Sequence, residues 1–399
     1  MKKEDMGRKR RGGSLQYRQV ALAIIAHEYA HGRRKIQGII DYYRKHCAWE
    51  ILRNKLSQPF VMPEDLTGWD GDGVIGEIYT DNDVEIFRSL SMPFVNTSST
   101  VLARDLPSVS VDNHAIGCLA AEHLMERKLD NFVFVGPTDL CHVRERYEGF
   151  SSTLKQIGGI CSLVQFEAAE TSPDRNSVEI VTPDQLMDAL RGLELPVGIM
   201  TSSDRVGFAV LEVCRRMGLR SPEDVALISV DNDEMYCSLA YSSMTSIAPN
   251  AHAVGFQAAA MLDGLMAGKE PKSRHILIPP QGIIFRNSTD MTRSEYPEVA
   301  RALRFIRNHA TEFIDVSNVL DVIPVSRRWL ETKFKEEVGH GIYQEILRIH
   351  VERAQDLLKT TDWPVSRIAR ESGFSSPERI EFAFQKKMGM SATEFRHQG

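Results

Sequence analysis

The pentapeptide His27-Glu28-Tyr29-Ala30-His31 has the HExxH spacing of a zinc protease. That chemistry needs all five residues on one helix, so that both imidazoles share a face and the carboxylate acts as base. Here the pentapeptide follows directly on the apolar run 20–26 and leads into Gly32, which predicts a strand-to-helix loop. No third ligand is evident, since His46 and Glu50 sit in an ordinary helix-to-strand stretch. Neither a Gly-rich phosphate loop nor a nucleophile elbow occurs. The metalloprotease is therefore the weaker reading, and no enzyme activity, metal or cofactor is expected. More informative are the polar residues that close apolar runs: His27 and Glu28, Glu77, Asp204 and Asp231. In open α/β sheets, ligands sit beyond the carboxyl ends of the strands.

Such residues need a scaffold. Segments 20–26, 72–76, 93–96, 108–112, 131–136, 196–200 and 224–231 are mostly apolar without alternation. Between them lie helical patterns, such as Ile36, Ile39, Ile40 and Tyr43, or Ile116, Leu119, Ala120 and Leu124. Strands of this kind alternating with amphipathic helices predict parallel sheets covered on both faces. The expectation is a doubly wound α/β region of two lobes. Strand signals end with 276–278 and 283–285, and 287–295 reads as a linker. The predicted divisions are a basic tail over 1–18, the α/β domain over 19–290, a linker over 291–297 and an all-α domain over 298–399.

The last hundred residues contain two similar segments, at about 312–339 and 364–389. In the first, Val316, Val319 and Leu320 form an apolar stripe and Pro324 breaks it. Ser326 can then cap a helix whose core positions are Leu330, Phe334 and Val338. In the second, Ile368 and Ala369 lead to a turn at Gly373, and Ile380, Ala383 and Phe384 line the next helix. A small residue followed four positions later by glycine is helix-turn-helix geometry. Residues 343–359 form a long amphipathic helix between the two.

The charges are divided among these regions. The chain has 399 residues and a net charge of −6. Residues 1–18 carry +5, 19–300 carry −13 and 301–399 carry +2. An acidic middle between a basic tail and a mildly basic end suggests two tasks in one chain. No apolar run approaches the ~20 residues of a membrane span, and no signal peptide is expected. Cys47, Cys118, Cys141, Cys161, Cys214 and Cys237 lack CxxC spacing, which suits a reducing cytoplasm.

Ser326-Arg-Arg-Trp-Leu-Glu-Thr-Lys-Phe, Arg353-Ala-Gln-Asp-Leu-Leu, Ile368-Ala-Arg-Glu-Ser-Gly-Phe and Phe384-Gln-Lys-Lys-Met-Gly resemble the AraC/XylS-type DNA-binding domain. Asp72-Gly-Val-Ile-Gly, Arg146-Tyr-Glu-Gly-Phe, Thr201-Ser-Ser-Asp-Arg-Val-Gly and Val225-Ala-Leu-Ile-Ser-Val-Asp-Asn resemble the periplasmic-binding-protein-like sensor of LacI/GalR regulators, without their N-terminal headpiece. The resemblance implies a cytoplasmic transcription factor, nucleoid-associated when bound to DNA, that activates pentose catabolic genes. Its implied partners are a double-stranded DNA operator, a small-molecule sugar (D-xylose before any other sugar), a second copy of the chain and RNA polymerase; no membrane is involved. It places Arg146, Asp204 and Asp231 at the sugar, with Glu28, Glu77 and Arg33 as looser candidates. Arg328, Glu331 and Thr332 are implied to face bases from the first reading helix, and Glu378, Arg379 and Phe382 from the second. Arg327, Lys333 and Ser376 complete the expected DNA contacts. Pro377 and Phe382 depart from the usual polar readers, so the second helix is expected to read shape or methyl groups.

Overall fold

The computed structural model describes residues 17–25, 29–46, 48–52, 60–127, 129–156, 158–166, 182–291, 296–361 and 363–398. The chain divides into two compact units, Met1–Thr289 and Asp290–Gly399.

The described residues of the first unit form two six-stranded sheets, flanked by helices that include α2 (Asp81–Ser89), α5 (Pro183–Arg191) and α7 (Glu234–Leu239). One contains β1 (Arg18–Ala23), β2 (Trp49–Ile51), β3 (Gly73–Gly76), β4 (Phe94–Asn96), β5 (Ser108–Val111) and β11 (His275–Ile278), in the order β11-β5-β4-β3-β1-β2. All of its pairings are parallel. The other contains β6 (Asn131–Val135), β7 (Ile160–Val164), β8 (Val197–Thr201), β9 (Val225–Val230), β10 (Thr245–Ala248) and β12 (Gly282–Ile284), in the order β12-β10-β9-β8-β6-β7. Only β12 runs antiparallel there. Continuous apolar strands such as β9, with all six residues buried, are what a sheet covered on both faces requires.

The lobes are not sequential halves. The chain passes from the first sheet to the second through α3 (Asn113–Met125) and returns through α8 (Ala251–Met266). It crosses once more between β11 and β12. The two crossover helices repeat one sequence: His114-Ala-Ile-Gly117 with Ala120-Ala121, and His252-Ala-Val-Gly255 with Ala258-Ala259. Asp112 and Asn250 cap them by accepting from the N–H groups of Ala115 and Ala253.

Each crossover helix packs on a partner through glycine. On α1 (Ala30–His46), a Cβ at Gly38 would lie 2.0 Å from the His252 carbonyl oxygen, and one at Gly255 would lie 1.9 Å from that of Lys35. On α4 (Cys141–Gln156), a Cβ at Gly149 would lie 2.1 Å from the His114 carbonyl oxygen, and one at Gly117 would lie 2.1 Å from that of Arg146. Backbone therefore meets backbone at both crossings. The partner helices share a spacing too: His31, Lys35 and Gly38 in α1 match His142, Arg146 and Gly149 in α4.

The second unit is helical: α9 (Pro297–Asn308), α10 (Val316–Asp321), α11 (Arg327–Val338), α12 (Ile342–Thr360), α13 (Val365–Glu371), α14 (Pro377–Met388) and α15 (Ala392–Gln398). Its described residues form two small cores. One gathers Val299, Leu303, Val319, Leu330, Phe334 and Ile346, and the other Val351, Leu358, Ile368, Ala369, Ile380 and Phe384. Helix α12 contributes to both. Ser326 accepts from the Trp329 N–H as expected, and Gly339 and Gly389 end α11 and α14 at φ 81° and 73°.

Several expectations are revised. The basic tail stops short of residue 18, because Arg18 opens β1 and pairs with Asp263 at 3.2 Å; residues 1–16 lie outside the described residues. The linker does not begin at 287. Residues Asn287–Thr289 form a 3-10 turn in the first unit, where buried Ser288 donates to the Leu227 carbonyl at 2.6 Å and accepts from the Thr245 N–H at 2.8 Å. Strand β10 lacks an apolar run because its hydroxyls have buried partners: Ser246 donates to Asp204 at 2.7 Å, and Thr245 to the Arg286 carbonyl at 3.0 Å.

The glycine crossings make a prediction. Gly149→Ala should destabilise the chain by about 1–3 kcal/mol, because neither backbone can yield without shifting its helix. Gly264→Ala, on the open side of α8, should be neutral or stabilising by up to about 1 kcal/mol. Thermal unfolding of both variants checks the contrast.

Candidate functional site

Between the two sheets of the first unit lies a cleft of about 180 Å³. Its walls are the strand ends and the first turns of α1, α4 and α6 (Asp204–Arg216). From the first lobe, Lys35 meets Glu77 at 2.5 Å and donates to the Thr97 carbonyl at 2.8 Å; both charged side chains are buried. Tyr79 donates to the other Glu77 oxygen at 3.4 Å, and burial raises its pKa well above 10. From the second lobe, Arg146 donates to the Asn113 side-chain oxygen at 3.0 Å and to the Ser202 carbonyl at 2.5 Å. Asn113 in turn donates to Ser99 Oγ at 3.0 Å.

Asp204 is buried at the start of α6. One oxygen accepts from Ser246 Oγ at 2.7 Å and the other from the Asp233 N–H at 2.7 Å. Burial raises its pKa to about 6, against the pull of these hydrogen bonds. Asp231 lines the cleft with φ 108°. His31 and His142 face the cleft from α1 and α4. Burial holds His31 well below its usual 6.5, with Lys35 and Arg146 adding to the effect. Burial, then Arg146, lowers His142 to about 3.

The structure thus brings together Glu77, Arg146, Asp204 and Asp231 of the expected sugar contacts. Arg33 does not belong: its side chain is exposed and lies off the cleft, one position before the residues that turn inward. Glu28 and His27 lie outside the described residues. His31 is the second residue of α1, and among the described residues no group of three or more His, Cys, Asp or Glu could hold a metal. Sequence reasoning missed Lys35, Asn113 and His142. The signal for Lys35 and His142 was the shared His-x3-basic-x2-Gly spacing of α1 and α4.

In the second unit, Arg328, Glu331, Thr332, Lys335 and Glu336 line one shallow outer face of α11. Arg327 pairs with Glu331 at 2.9 Å, and Thr332 donates to the Arg328 carbonyl at 2.7 Å. Lys333, expected among the DNA contacts, is engaged within its own unit. Its ammonium is 4.7 Å from the Tyr296 ring centre and pairs with Glu336 at 2.7 Å, so it helps seat the helix against the segment before α9. On α14, Glu378, Arg379 and Phe382 are exposed opposite buried Ile380, Ala383 and Phe384; Phe382 is 66% exposed. Ser376 occupies the N-cap position. No helix among the described residues is long and apolar enough to cross a membrane.

Residues 121–289 match the periplasmic binding protein-like domain and residues 320–398 a helix-turn-helix domain. The xylose operon regulatory protein of Escherichia coli (strain K12) is 30% identical over 379 residues, covering 92% of this chain and 94% of that one. Its Haemophilus influenzae counterpart is 28% identical over 390 residues, covering 96% and 98%. A solved structure described as the xylose-binding transcription activator XylR aligns with a TM-score of 0.63 at 27% identity, covering 96% of this chain and 99% of that one.

Two outcomes follow from the cleft. Lys35→Met leaves Glu77 buried without its cation and should cost about 3–5 kcal/mol, most of it restored by adding Glu77→Leu. The second concerns acid. His142 binds its proton more weakly when folded, so its contribution to stability is complete above pH 6.5 and falls as the pH drops toward 3. His142→Gln should therefore flatten the loss between pH 6.5 and 5 by about 1–2 kcal/mol, read from denaturant midpoints across that range.

Proposed function

Because the chain belongs to the family of xylose operon regulatory proteins, we propose that it is a transcription regulator that senses D-xylose in the interlobe cleft and reads its operator with α11 and α14. The observation that carries this reading is the match of sensor and reader together along nearly the whole chain. The cleft chemistry supports a neutral polyol. Lys35 is offset by Glu77, and Asp204 is bound by hydroxyl and N–H donors. A ligand of hydroxyl groups can join such a network as donor and acceptor without adding charge.

Arg146 and Asp231 are the proposed polar contacts, with Glu77 behind them; Asp204 acts by holding the loop that bears Asp231. Arg328, Thr332 and Lys335 are the proposed readers on α11. On α14, Arg379 contacts the DNA and Phe382 supplies an apolar surface to thymine methyl groups. Paired chains place their readers on repeated half-sites, and sugar shifts their arrangement by binding two states unequally. The setting is the bacterial cytoplasm, at the nucleoid when on DNA, with RNA polymerase as the activated partner. A regulator of another pentose or hexose is the second reading, since the same donors and acceptors serve any polyol of that size.

Arg328→Ala should weaken operator binding by about 1–3 kcal/mol while D-xylose affinity stays unchanged. Asp231→Asn should abolish the sugar response and leave nonspecific DNA binding intact. Calorimetry with a panel of pentoses and hexoses, together with operator titrations, checks both. Preference for a sugar other than D-xylose would move the chain to the second reading, and loss of sugar binding in Arg328→Ala would contradict the division of labour.

A further inference from the structure

The loop after β9, residues 231–233, has an unusual backbone. Asp231 (φ 108°) and Asn232 (φ 46°) are non-glycine residues with positive φ, a conformation that persists only where surroundings enforce it. Its own lobe enforces it from one side. The Asp231 N–H donates to the Ile247 carbonyl at 3.0 Å, the Asn232 N–H to Ser246 Oγ at 2.9 Å and the Asp233 N–H to Asp204 at 2.7 Å. Arg286 holds the Asn232 side-chain oxygen at 2.8 Å.

With the N–H groups directed inward, the carbonyls of Asp231 and Asn232 are presented to the other lobe. Arg34 of α1 takes both. One terminal nitrogen donates to the Asp231 carbonyl at 2.9 Å and the other to the Asn232 carbonyl at 2.7 Å. A reciprocal contact runs the opposite way, from Arg205 of α6 to the Tyr29 hydroxyl at 3.2 Å, with the guanidinium 5.5 Å from the Tyr29 ring centre.

We propose that Arg34 is a closure latch: its fork grips the Asp231 and Asn232 carbonyls across the cleft and couples sugar contact at Asp231 to the closed arrangement of the lobes. The coupling rests on the sugar-sensor reading given above. A ligand at the Asp231 carboxylate and Arg34 at the Asp231 carbonyl act on one residue whose backbone is fixed. Both contacts favour the closed arrangement of the lobes, so each strengthens the other. Main-chain carbonyls do not titrate, so the acceptors of the latch persist across the physiological pH range. The geometry is that of a planar fork, which lysine lacks.

The test uses the full chain with spin labels introduced through non-natural residues at the exposed positions Asn82 in the first lobe and Asp184 in the second. Without sugar, Arg34→Met should shift the interlobe distance distribution to longer values. With D-xylose, it should weaken affinity about tenfold at unchanged stoichiometry, because fewer molecules occupy the closed state. Arg34→Lys should fall between wild type and Arg34→Met in both readings; should the methionine variant fail to fold, the lysine variant decides. Unchanged distances and unchanged affinity would overturn the latch. If wild type binds no D-xylose, the sugar reading fails, and the distance distribution alone then judges whether Arg34 holds the lobes.

Discussion

Two helix crossings with no side chain between them set the geometry of the cleft. Where α1 meets α8 and α3 meets α4, glycine lies against a carbonyl oxygen, so helix separation is fixed by backbone contact. Close-packed interiors transmit such constraints over several turns. On α1 the constraint fixes Lys35 and His31, at three and seven residues before Gly38; on α4 it fixes Arg146 and His142 at the same distances before Gly149. Each lobe thereby offers the cleft one buried cation and one histidine kept neutral. The rest of the site answers those two cations: Glu77 and the Thr97 carbonyl for Lys35, Asn113 and the Ser202 carbonyl for Arg146.

The division of charge acquires a structural meaning. The acidic excess belongs to residues 19–300, and the +2 of residues 301–399 is too small to supply DNA affinity through bulk attraction. Affinity must come from a few placed groups. Arg328 and Lys335 share the outer face of α11, whereas Lys333 is spent on Tyr296 and Glu336. With so few cations per reader, linking two readers in one chain adds affinity through effective concentration.

What the sequence disclosed follows from burial. Strands apolar on both faces, such as β1, β6, β8 and β9, announce themselves, and so do helices whose stripe and cap agree, such as α11. The polar strand β10 does not, because its interior partners are hydroxyls and carbonyls rather than methyl groups. Arg33, Arg34 and Lys35 stand in a row, and composition cannot choose among them; the turn of α1 sends the first to solvent, the second to the opposite lobe and the third into the core. The seating of Lys333 against Tyr296 is equally hidden, because Tyr296 lies far earlier in the chain and local spacing does not reach it.

The two readers differ in a way that duplication makes legible. Residues 326–339 and 376–389 correspond at an offset of 50: Ser326 with Ser376, Leu330 with Ile380, Phe334 with Phe384, Gly339 with Gly389. The core positions and the closing glycines match, although Ser326 accepts from the Trp329 N–H and Ser376 makes no such side-chain bond, so each helix is seated in its own small core by the same residue pattern. Their outer faces do not match. Arg328 and Thr332 in the first correspond to Glu378 and Phe382 in the second. An arginine and a hydroxyl read hydrogen-bonding edges; a carboxylate repels phosphate, and an exposed phenyl ring gains only by covering apolar groups. Similar scaffolds with unequal faces favour the proposal that α11 carries the directional contacts, while α14, beside Arg379, discriminates through methyl groups and the exclusion of water.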